Sequence, residues 1–219
     1  DFGTDNLAAI VCTDCSSRIY KGGALKERNQ LFNKKRAKAI SLITKGHTSV
    51  RASSRYLDNL SRNRDAFIRD QFHKISKDIV SFCLEHRISV LVLGVNKHWK
   101  QKANLGSVNN QSFVSVPLFI LRSMISYKAG SAGIRILEQE ESYTSQADFT
   151  AGDYIPVYGK DDDKASFSGR RIKRGLYLCH NGLIVNADCH GAANILRKAY
   201  PDAWEGVKDF SFLSRPEVY

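Results

Sequence analysis

No stretch of the sequence approaches the roughly 20 consecutive apolar residues that a membrane-spanning helix needs. No secretory leader pattern opens the chain either. On these absences no membrane partner is expected, and the expected location is the cytoplasm. Cysteine is scarce: five residues, an odd number, at positions 12, 15, 83, 179 and 189. Such irregular spacing excludes a disulfide framework and fits a reducing compartment. Acidic residues are short as well, 22 against 33 Lys and Arg, giving a net charge of +11 and a pI near 9.5. That excess calls for a polyanionic partner, and nucleic acid is the commonest one. Internal repeats are absent. So is an initiator methionine: the chain opens on Asp1-Phe2-Gly3 and runs directly into an apolar strand, which reads as the truncated C-terminal part of a longer protein.

What is present suits one α/β domain over residues 1–219. The hydrophobic fraction of 42% is ordinary for a packed core. Leu7 to Cys12 predicts a buried strand, with a polar turn over 13–17 and a return through Arg18 to Tyr20. A very basic helix is expected from Leu25 to Lys45, with Gly46 as its stop. From Arg55 to His86, Leu57, Leu60, Phe67, Ile68, Ile75, Ile79 and Phe82 recur at helical steps. Ile88 to Leu93 reads as a strand buried on both faces. Pro117 opens a helix carrying Leu118, Leu121 and Ile125, and Ile134 to Leu137 is another short strand. Residues 142–178 read as an irregular insertion, and a last helix runs from Ala187 to Ala199. Hairpin, helix, strand, helix, strand, helix predicts a mixed sheet flanked by helices.

Acidic side chains stand where these elements begin or end. Asp1 heads the first strand, Glu140 and Glu141 follow a later one, and Asp188 lies in the first turn of the last helix, where the helix dipole favours negative charge. Gly191, Ala192 and Ala193 let that helix press closely on the sheet. Carboxylates gathered from distant segments repel unless cations sit between them, and hard oxygen ligands suit magnesium or manganese over zinc. Two such ions can activate water and stabilise the leaving oxygen of a phosphodiester.

At these residues the chain resembles the C-terminal half of TnpB, the RNA-guided nuclease of small transposons. The matching segments are DFGTDNLAAIV at Asp1, LVLGVNKHWKQKANLGSVNNQSFVSVP at Leu91, EESYTSQADF at Glu140, FSGRRIKRGLY at Phe167 and NADCHGAANILRKAYP at Asn186. The resemblance implies an RNase H-like, RuvC-like fold and a magnesium-dependent endodeoxyribonuclease. It implies a DNA target, a guide RNA held largely by further N-terminal domains, and a place in the bacterial cytoplasm or nucleoid. Asp1 and Asp188 carry over as catalytic metal ligands.

Two departures matter. Typical members place the middle glutamate just after the strand at Leu91–Leu93, where this chain reads Gly94-Val95-Asn96 without an acid. Some TnpB proteins and the related Fanzor proteins carry a relocated glutamate shortly before a Thr-Ser pair. That maps to Glu141 ahead of Thr144-Ser145, with Glu140 the second choice. The four-cysteine zinc segment that usually follows Thr-Ser is also missing. Cys12 and Cys15 have C-x-x-C spacing but no second pair, and Cys189 and His190 are expected to pack or face solvent. No structural zinc is expected.

Basic runs supply the nucleic-acid surface: Lys34, Lys35, Arg36 and Lys38; Lys97, Trp99, Lys100 and Lys102; Arg170, Arg171, Lys173 and Arg174. Lys and Arg neutralise phosphates while Trp99 can stack on a base. Asn109, Asn110 and Gln111 add neutral hydrogen-bonding groups. Two other readings stay open, a catalytically inactive RNA-guided DNA-binding protein and a guide-independent RNase H-like resolvase.

Overall fold

The computed structural model describes residues 1–45, 53–96 and 116–219. Strand β1 (Asn6–Val11) buries Leu7, Ala8, Ala9 and Ile10 in succession, and β2 (Ser17–Lys21) returns antiparallel to it. Asp14 shapes the turn by accepting from the backbone N–H and hydroxyl of Ser16. The pairing skips from Asn6↔Lys21 to Ala8↔Tyr20, so one extra residue bulges from β1 at its start. The short β8 (Glu217–Val218) adds parallel to β2. Helix α1 (Gly23–Thr44) ends in left-handed backbone at Lys45 (φ 49°); the expected stop, Gly46, lies outside the described residues.

Helix α2 (Arg55–Glu85) begins where the Ser54 hydroxyl accepts from the Leu57 N–H, and it buries Ile68, Phe72, Ile75, Ile79 and Phe82 along one stripe. Strand β3 (Val90–Val95) pairs in parallel with β4 (Arg135–Glu140), and α3 (Leu118–Ser131) makes the connection between them. The expectation that β3 is buried on both faces holds for Leu93 to Val95 only; Val90 to Val92 are half-buried. Among the described residues β3 has one strand partner, and its other edge lines a cavity shared with β1, α2, α3 and the last helix. Asp1 stands in that lining and exchanges two backbone hydrogen bonds with Ala9.

The stretch expected to be irregular over 142–178 holds more order than the sequence suggested. It contains a 3-10 turn (Asp162–Lys164) and two strands, β5 (Arg170–Lys173) and β6 (Leu176–Leu178), joined through Gly175 at φ 88°. With β7 (Ile184–Asn186) they form an antiparallel sheet. Helix α4 (Ala187–Ala199) follows directly, capped by Asn186, whose side chain accepts from the N–H groups of Asp188 and Cys189. One apolar core joins β1, α2 and α3; a second joins Ile19, Tyr177, Val185, Ala193, Trp204 and Leu213. The N-terminal turn of α4 lies between β1, β3 and β7.

Candidate active site

Three segments deliver acids to this seam. Asp1 is fixed by its backbone pairing with Ala9, and its carboxylate lies over Gly191, where an added Cβ would sit 2.9 Å from Oδ2. Glu141 extends the β3–β4 ladder by one bond, its N–H donating to Val95 O at 3.2 Å. Its carboxylate fills the space above Gly94: a Cβ there would meet Glu141 Oε2 at 2.5 Å and Ile195 Cδ1 at 2.7 Å. The position where an acid is missing is thus the position into which Glu141 reaches. Asp188, in the first turn of α4, accepts from Asn6 Nδ2 at 2.5 Å through Oδ2 and faces Arg171 Nη2 at 3.8 Å through Oδ1.

Asp1 and Glu141 both lie against α4: the Asp1 carboxylate sits over Gly191, and Ile195, one turn further along that helix, borders the space over Gly94 that Glu141 fills. Burial raises the pKa of Glu141. Among the described residues, however, no three His, Cys, Asp or Glu side chains are drawn together tightly enough to form a metal-binding group as they stand. Asp188 is instead turned toward Asn6 and Arg171. The donor set is hard oxygen, the chemistry that magnesium and manganese take, and two glycines leave room for the carboxylates of Asp1 and Glu141.

Glu140 is placed differently. Lys198 Nζ donates to its Oε2 at 2.6 Å and Ser142 N–H to its Oε1 at 2.7 Å. Burial raises its pKa, but those partners outweigh burial and hold it below the usual range. Cys189 and His190, beside Asp188, are fully buried. Burial pushes the Cys189 thiol up to about 12, and it holds His190, stacked on Tyr177 at 3.6 Å, down to about 4. Both are neutral packing groups at neutral pH.

Of the expected nucleic-acid residues, Arg170, Arg171 and Lys173 are exposed on β5 and Arg174 follows at the turn. Arg174 pairs with Asp5, which also pairs with Lys26 of α1. This places the basic hairpin beside Asp188. Lys34, Lys35, Arg36 and Lys38 lie exposed on α1. Lys97, Trp99, Lys100, Lys102 and the amides at 109–111 lie outside the described residues. Sequence reasoning missed Asn6 as a partner of Asp188 and the room that Gly94 leaves. The absent acid at position 94 was the available clue to the second.

Residues 1–100 match the OrfB_IS605 family, described as probable transposase, and residues 120–195 match the Cas12f1-like TNB domain. A TnpB-like protein of Acidianus two-tailed virus, ORF457, is 24% identical over 207 residues, covering 91% of this chain and 41% of that protein. The CRISPR-associated endodeoxyribonuclease Cas12f2 of a Micrarchaeota archaeon is 26% identical over 210 residues, 91% of this chain and 36% of that protein. The chain thus spans about two fifths of the length of these curated relatives. A cryo-EM structure of a Cas12f1–sgRNA–target DNA complex superposes with a TM-score of 0.60 at 14% identity, covering 89% of this chain and 47% of that one. The fold is the RNase H-like, RuvC-like α/β arrangement that the sequence implied.

Proposed function

We propose that the chain, which matches the OrfB_IS605 family over residues 1–100 and is similar to a TnpB-like protein and to Cas12f2 over 91% of its length, is the nuclease part of an RNA-guided DNA endonuclease. Asp1, Glu141 and Asp188 would hold magnesium or manganese. Bound there, the ions supply a nucleophilic water and stabilise charge on the phosphodiester. The chain's own residues do the positioning. The Asp1–Ala9 backbone pair fixes the first carboxylate, Gly94 admits the second, and the Asn186 cap sets the turn that carries the third. Arg171, 3.8 Å from Asp188, and its neighbours on the hairpin would draw the phosphate backbone toward these acids.

The supporting observation is the fit of Glu141 into the space over Gly94, one turn along α4 from the Gly191 that lies under the Asp1 carboxylate. Glu140, held by Lys198, is assigned to stability. A rival reading, a guide-binding protein that does not cut, draws on the turning of Asp188 toward Arg171 and on the spread of the acids. Manganese titration of the 219-residue chain, followed by electron paramagnetic resonance, separates the two. Asp1→Ala, Glu141→Gln and Asp188→Asn should each abolish high-affinity binding, and Glu140→Gln should retain it. Binding unchanged in the first three variants would leave the non-cutting reading in its place.

A further inference from the structure

We infer that Asn6 is a positioning residue that selects which oxygen of Asp188 is offered to the active site. This deepens the metal-site reading and rests on it. Three features of the molecule converge on Asn6. Its Nδ2 donates to Asp188 Oδ2 at 2.5 Å, across 182 residues of sequence. It sits on the bulge that opens β1, where the register slips between Asn6 and Ala8. A bulge of this kind bends its strand and re-aims a side chain, and bulges cluster beside active sites. The loop entering the bulge is also fixed. A Cβ on Gly3 would meet Asn6 O at 2.9 Å, and one on Gly22 would meet Thr4 O at 2.7 Å, while Gly22 N–H donates to Asp5 O at 2.8 Å.

The chemistry follows from the donor count. A carboxylate oxygen that receives an amide N–H at this distance is oriented and partly satisfied. Oδ2 of Asp188 is thereby occupied, and Oδ1, which faces Arg171, is left as the ligating atom. Asp188 is held by Asn6 at its carboxylate and by the Asn186 side chain at its backbone N–H. Partners that orient a ligating carboxylate typically contribute about 10–100-fold in metal affinity. Without Asn6, Asp188 is free to swing toward Arg171.

Two measurements test this, one of them without metal. In the metal-free protein, the side-chain amide resonances of Asn6 should stand apart from those of solvated asparagines and collapse toward them in Asp188→Ala. Unchanged resonances in that variant would show that the hydrogen bond does not hold in solution. In manganese titrations, Asn6→Leu, of similar volume but with no donor, should weaken binding by about 10–100-fold. Its melting temperature in chelator should stay within a few degrees of the parent, since a merely structural role would shift melting and spare affinity. Asp188→Asn is the control for the underlying reading. If it loses binding while Asn6→Leu keeps parental affinity, the positioning role is overturned and the metal site stands. If Asp188→Asn itself retains binding, the metal site falls and this role with it.

Discussion

A single methyl group at position 94 would touch both the Glu141 carboxylate and Ile195. Both are tips of flexible side chains, so Gly94→Ala should leave the fold intact and weaken manganese binding by displacing Glu141. The same geometry makes a sharper forecast. Because a side chain at 94 points where the Glu141 carboxylate lies, Glu141→Ala should lose binding, and Gly94→Glu added to it should restore part. No recovery in the double variant would argue against a relocated acid. His190 carries a different forecast. Its pKa is held at about 4 by burial, so between roughly pH 6.5 and 4 the unfolded chain binds a proton that the folded chain does not. Stability should therefore fall as pH drops through that window, by about 3 kcal/mol, and then level off for this group. Buried Asp148 is held below its ordinary range: burial raises it, but bonds from His180 and Thr150 outweigh burial. Its contribution is present above the unfolded carboxylate pKa and is lost at still lower pH, as the folded value is passed. Denaturation curves at stepped pH check both, and His190→Phe should flatten the upper part of the slope. Asp1 and Asp188 could be picked out in the sequence because each stands at an element boundary. Glu141 could not be separated from Glu140 by spacing, since adjacent residues at a strand end differ only in the direction they face, and that depends on Lys198 and Gly94 arriving from elsewhere.

Elements differed in how far they could be read. Helix α2 announced itself through a long apolar stripe and α4 through its small residues, while the Ser54 and Asn186 caps emerged only from the structure. Strands β5 and β6 did not, because Arg170 to Lys173 are all exposed and offer no apolar alternation. Their order comes from the tight turn at Gly175 and the pairing with β7. That hairpin carries the proposed phosphate-binding cations. Replacing Arg170, Arg171, Lys173 and Arg174 with Gln should reduce the slope of log affinity against log salt by about 0.7–0.9 for each phosphate that is no longer neutralised. Anisotropy titrations on single- and double-stranded DNA read this directly, and an unchanged slope would remove the hairpin from the interface. At the other end of α4, Lys198 donates to Glu140 and to the carbonyls of Ser142 and Pro156. Lys198→Met leaves a part-buried carboxylate unpaired and should destabilise the protein by about 3 kcal/mol or more, with manganese affinity preserved.

At the scale of the whole molecule, α4 packs into the second of the two apolar cores, and Asp1, Glu141 and Asp188 are set along that helix by β1, the β4 end and its own first turn. The +11 charge favours a polyanionic partner, and the exposed cations of the β5 hairpin lie next to Asp188. If about 6–10 phosphates are engaged, affinity should fall roughly 10³–10⁵-fold between about 50 and 200 mM salt. The most direct measurement is anomalous diffraction from a crystal soaked in manganese. The account predicts a peak within coordination distance of carboxylate oxygens from Asp1, Glu141 and Asp188, with Glu140 still on Lys198. A peak elsewhere, or none at saturating manganese with Asp188 still facing Arg171, would contradict it.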